Sequence, residues 1–209
     1  MIRDNKYINN ITMHIQENFW LYIISLLFLC TGVVLGVYAV KYMSEVDKLD
    51  LANYFNSFTN ILASEELNNK VIFFEAIKTN IPIILVLFIL GLTLVGMPII
   101  LLINLIKGFS IGFTFSFIIS TLGKKGVAIT LVGMLPQNII YIPCIVIASV
   151  ISMRISLDKI RNNVFNQKAH VAKENKNIVM DLVVIAMFVL LGTLIESYIT
   201  PAILKYFLS

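Results

Sequence analysis

Four apolar runs, residues 19–40, 81–106, 127–153 and 178–200, constrain this chain more than anything else in it. Each reaches the roughly 20 residues a helix needs to cross a hydrocarbon core about 30 Å thick. Within lipid every backbone N–H and C=O must be satisfied inside its own segment, so such runs fold as helices that pack on one another. A fifth, shorter apolar stretch at 109–123 lies between Lys107 and Lys124-Lys125. It reads as a third span, tilted, broken or re-entrant. The expectation is an all-α polytopic membrane bundle with about five spans, forming one domain over 1–209.

Composition agrees with that class. The 209 residues are 58% hydrophobic and only 13% charged, too few polar groups to cover a soluble domain of this size. The net charge of +4 could suggest nucleic acid, but the cations fall in short segments between apolar runs. Cys30 and Cys144 both sit inside apolar runs, which leaves no disulfide framework and no ligand set for zinc. The first run is too long for a signal-peptide core and has no small-residue cleavage site soon after it, so it reads as an uncleaved span.

The flanking segments carry pattern of their own. Ile8, Ile11, Ile15 and Phe19 recur at helical spacing, which makes 1–18 an amphipathic lead-in for the inner membrane surface. In the loop 41–80, Leu51, Tyr54, Phe55, Phe58, Ile61 and Leu62 mark one helical face, a candidate surface for a partner. Asn80-Ile81-Pro82 reads as a helix start. Loop 154–177 holds six cations against Asp158 and Glu174. Positive charge stays cytoplasmic, so the N-terminus is expected inside, 41–80 outside and the C-terminus outside.

The residues supply little for catalysis. His14 and His170 have no companion ligand at metal spacing, and neither a phosphate-cradling loop nor a nucleophile elbow occurs. No cofactor or metal is expected, and the chain reads as a non-enzyme. Two span carboxylates, Asp181 and Glu196, stand near the ends of the last run, where each could reach an interface.

Packing signals are clearer. Gly32-x-x-x-Gly36 and Gly108-x-x-x-Gly112 place glycines one turn apart, which allows close backbone approach between helices. Asn104 adds a buried-type polar group one turn before the second pair. Leu135-Pro136-Gln137-Asn138 puts a proline and two carboxamides inside a membrane-length run. In lipid those groups need protein partners, so they read either as polar glue at a kinked helix contact or as the lining of a polar conduit.

In order, the chain presents Gly32-x-x-x-Gly36-x-Tyr38, Tyr54-Phe55-x-x-Phe58, Lys107-Gly-Phe-Ser-Ile-Gly-Phe-Thr, then Leu135-Pro136-Gln137-Asn138 and Ile142-Pro143. This succession resembles the stage II sporulation protein M family of endospore-forming bacteria over nearly the whole length. The resemblance implies a multi-pass protein of the mother-cell membrane, acting at the septum in engulfment of the forespore. It implies a scaffold that recruits and localises two peptidoglycan hydrolases, stage II sporulation proteins D and P. A transporter or permease subunit built around Pro136–Asn138 is the alternative from a different class.

Overall fold

The computed structural model describes residues 12–64, 69–164 and 171–208, all of them helical apart from short turns. Residues 12–17 are helical, and the remainder of the amphipathic lead-in lies outside the described residues. Helix α1 spans Phe19–Lys41, α2 Glu45–Ser64, α3 Asn69–Gly91 and α4 Gly96–Ala128. A π-helical segment, Ile129–Met134, leads into α5, Leu135–Val164, and α6 spans Val171–Leu208.

By length and composition four stretches can cross a membrane: Phe19–Lys41, Asn69–Gly91, the 67-residue Gly96–Asn162, and Leu182–Pro201. A straight helix of that third length would extend about 100 Å, over three times the bilayer core. It does not run straight. Gly123 has φ 58° and ψ −128°, close to the first central position of a type II′ turn, where glycine carries no Cβ penalty. The chain reverses there. A Cβ on Gly126 would lie 3.1 Å from Ile119 Cα, although residues seven apart on one helix are separated by about 10 Å. The stretch is therefore a hairpin with limbs 96–122 and 124–162.

The run 81–106 is divided. Leu92–Val95 form a turn between α3 and α4, and α3 begins twelve residues earlier than the run does, at Asn69. Pro82 consequently stands inside α3 rather than at its start. Pro98 occupies the first turn of α4, where a missing N–H costs nothing. Residues 109–122 belong to the long first limb, which ends at the Gly123 reversal, and Lys107 is in mid-helix.

The ends of the bundle are well defined. At one end Lys159 Nζ donates to Leu92 O (2.6 Å) and Ser156 Oγ to Thr93 O (2.9 Å), which satisfies carbonyls of the α3–α4 turn. Arg154 pairs with Glu17 at 3.5 Å on the same side. At the other end, on the side of the Gly123 reversal, Lys41 Nζ stands 5.9 Å and 5.8 Å from the ring centroids of Tyr38 and Tyr42. Exposed Trp20 and this Tyr–Lys group thus bracket α1 with the amphipathic side chains that favour membrane interfaces.

Candidate functional site: the polar centre of the bundle

Helices α1 and α4 run parallel in backbone contact. A Cβ on Gly32 would meet Leu105 O and stand 2.8 Å from Phe109 N, while one on Gly36 would meet Phe109 O and stand 2.6 Å from Phe113 N. From the facing side, Gly108 abuts Leu29 O and Gly112 abuts Val33 O. The four glycines interlock as a single seam, and both glycine pairs are used on each other within this chain. With no Cβ between the backbones, dispersion contacts accumulate along about two turns, which in lipid is a main source of helix association.

Polar side chains tie further helices to that seam. Asn104 Nδ2 donates to Ser25 Oγ (2.8 Å), and Ser149 Oγ donates to Asn104 Oδ1 (2.8 Å). All three residues have no exposed surface, so one carboxamide links α1, α4 and α5 in the dry interior. The sequence marks Asn104 but not its serine partners, since serine recurs throughout the chain and only the fold selects Ser25 and Ser149.

The Leu135–Asn138 motif forms a second tie. Pro136 has no N–H, and its ring would collide with the carbonyl one turn before it. The backbone widens ahead of it into the π segment, in which Leu135 N–H reaches back five residues to Thr130 O. Asn138 Nδ2 donates to Met134 O (2.8 Å), within its own helix. Thr200 Oγ1, from α6, lies 2.8 Å from Gly133 O and 3.0 Å from Gln137 Oε1. One hydroxyl proton serves one of these acceptors. Turning the Gln137 carboxamide over makes its N–H a donor to Thr200, which then donates to Gly133 O, and all three groups are satisfied. Gln137 thus joins α5 to α6, whereas Asn138 serves its own backbone.

A third cluster was not legible as one. Tyr141 OH donates to Glu196 Oε2 at 2.7 Å, and Lys107 interacts electrostatically with the same carboxylate. Glu196 therefore does not turn toward an interface: it faces the bundle, four residues deeper than Thr200. Lys107 is eleven residues beyond Gly96 and sixteen before Gly123, about 16 Å and 24 Å from the two ends. Both charged side chains thus lie away from the ends of the bundle. The side chain of Asp181 lies outside the described residues.

The loop face resolves into two. Leu51, Ala52 and Phe55 pack against the buried cluster of Val40, Phe117, Ile118 and Ile129, with the Phe55 and Phe117 rings edge-on at 6.3 Å. Those half-buried side chains seat α2 on the bundle. Tyr54, flanking that face, is 74% exposed, and Val46 and Leu49 are exposed as well. The side chains of Phe58, Ile61 and Leu62 lie outside the described residues.

Among the described residues no group of histidine, cysteine, aspartate and glutamate side chains is arranged to hold a metal ion. A family model described as stage II sporulation protein M matches residues 25–201, most of the chain. No curated protein and no solved structure matches it.

Proposed function

The chain belongs to the stage II sporulation protein M family and so to the machinery of sporulation, and we propose that it acts there as a non-enzymatic membrane scaffold. In this reading it recruits stage II sporulation proteins D and P and holds these peptidoglycan hydrolases at the septum of the mother-cell membrane during engulfment. The two limbs of the Gly123 hairpin cross the membrane separately, giving five passes with the N-terminus inside. The Gly123 end and α2 then face the wall.

One observation carries this reading. Helix α2 is seated on the bundle by Leu51, Ala52 and Phe55, and it leaves Val46, Leu49 and Tyr54 exposed. An interfacial helix with one apolar face spent on its own protein and another left exposed has the form of a recognition surface. The interlocked glycine seam and the Asn104 tie beneath it supply the rigid frame on which such a surface would be held.

The test is the position of fluorescently tagged hydrolases in sporulating cells carrying Val46→Ser, Leu49→Ser and Tyr54→Ser together. These positions do not pack on the core cluster, so the variant should accumulate normally. The expected result is loss of septal enrichment of the hydrolases. Unchanged enrichment alongside normal protein levels would overturn the assignment of this surface. Unchanged enrichment in cells lacking the chain altogether would overturn the scaffold reading.

A further inference from the structure

The Asn104 tie sets a common depth for three helices, since Ser25 of α1, Asn104 of α4 and Ser149 of α5 meet there. Helix α3 joins the same scale through α5. A Cβ on Gly91 would stand 2.9 Å from Ser152 Cα, and Ser152 lies three residues beyond Ser149. Both helices descend toward the α3–α4 turn, where Ser156 and Lys159 reach the carbonyls of Thr93 and Leu92. Phe88, three residues before Gly91, therefore shares the depth of Ser25.

Counted upward from that level toward the Gly123 end, the two helices differ. Helix α1 carries no charge until Lys41, sixteen residues and about 24 Å above Ser25. Helix α3 reaches Thr79 after about 14 Å, Lys78 after about 15 Å and Glu75 after about 20 Å. Lys78 is thus level with Leu35, an exposed apolar residue of α1. The polar residues of α3 do not turn into the bundle. Lys78 and Glu75 side chains are 72% and 65% exposed and pair with each other at 3.1 Å. Thr79 is exposed too, and its hydroxyl donates to Glu75 O (2.9 Å). Glu75, Lys78, Thr79, Pro82, Leu85, Val86 and Ile89 recur at three and four residues, so they form one exposed stripe. That stripe is apolar from the turn up to Pro82 and polar from Thr79 onward.

We infer that phospholipid headgroups and their water descend along α3 at the Gly123 end as far as Lys78 and Thr79, so that the bundle thins the bilayer on this flank by about 9 Å relative to α1. Lipid chains do not solvate charged side chains, and those held within hydrocarbon face a bundle interior or water. Here they face outward, which leaves the bilayer to adapt. A bilayer meets a short apolar face by thinning against it. Helix tilt does not remove the difference: about 20° would shorten the α1 rise by only about 1–2 Å, and any tilt of α3 lowers its charges further. Because mismatch carries a cost for each ångström, such a flank favours membrane that is already thin. The inference needs neither the scaffold reading nor its orientation.

The test compares two exposed positions nine residues above the shared level, Thr79 on α3 and Val34 on α1. Each becomes the single cysteine of the full chain, in a Cys30→Ala, Cys144→Ala background, in nanodiscs of dioleoyl phosphatidylglycerol and phosphatidylethanolamine. The probe is a membrane-impermeant charged thiol reagent. Thr79→Cys should react within about tenfold of the rate of Lys124→Cys at the exposed hairpin tip, and Val34→Cys at least about a hundredfold more slowly. Cysteine is too short to snorkel, so its reaction reports where the water is. Equal rates at residues 79 and 34, whether fast or slow, overturn the inference. A second measurement follows resistance to pulse proteolysis in phosphatidylcholine nanodiscs, from dimyristoleoyl to dierucoyl chains. The parent should be most resistant at a shorter chain length than Glu75→Leu, Lys78→Leu, Thr79→Leu, in which the apolar stripe continues upward. The same optimum in both overturns the thickness preference.

Discussion

Substituting Gly108 by alanine probes the seam on which the bundle is built. The added Cβ would meet Leu29 O and stand 2.9 Å from Leu29 C and 3.1 Å from Val33 N. All three atoms are backbone, so no rotamer change relieves the contact, and α1 and α4 must part by about 1 Å to restore ordinary van der Waals distances. A gap of that size forfeits about a quarter to a half of the attraction between facing atoms. Overpacking of this kind costs about 1–3 kcal/mol, against which the better helix propensity of alanine returns at most about 1 kcal/mol. The expected net loss is about 1–2 kcal/mol, read as unfolding free energy in mixed micelles by pulse proteolysis. Gly32→Ala strains the same contact, so the double variant should cost clearly less than the two single losses added together. If Gly108→Ala were neutral or stabilised the protein by about 1 kcal/mol, helix propensity alone would account for it and the reasoning would fail.

Other positions give independent readings by the same assay. Asn104→Leu removes both hydrogen bonds that join α1, α4 and α5, at a cost of about 1–2 kcal/mol; a gain in stability would mean that the tie is dispensable packing. Thr200→Val keeps shape but leaves Gly133 O without its hydroxyl donor, so about 1 kcal/mol should be lost, and Thr200→Ser should restore most of it. Gly123→Ala places a Cβ at φ 58° with nothing within 4 Å of it, so any loss measures backbone strain, about 1–3 kcal/mol. No loss there would argue against the reversal at Gly123.

Hydropathy makes the class legible and leaves the boundaries uncertain, for a physical reason. Leu92, Leu94 and Val95 keep the turn between α3 and α4 as apolar as the helices beside it, so the run 81–106 looks continuous. Gly91, Gly96 and Pro98 are the turn signals that could have divided it. With that turn hidden, 109–123 looks too short to cross. Glu196 looked peripheral because the apolar run ends at residue 200, whereas α6 continues to Leu208. The glycine pairs and Asn104 were legible because close approach and a buried carboxamide each leave a local mark. Their partners, Leu29, Val33, Ser25 and Ser149, were not, because only tertiary packing distinguishes them from the many other leucines, valines and serines. In the α2 stripe, periodicity identified a helix but could not say which apolar side chains the bundle itself would take.

The scaffold reading is tested most directly by binding between purified components. The chain in lipid nanodiscs should bind the full-length wall hydrolases saturably, and the Val46→Ser, Leu49→Ser, Tyr54→Ser variant should lose at least tenfold in affinity while keeping its unfolding free energy. Hydrolase binding no greater than to empty nanodiscs would contradict the account.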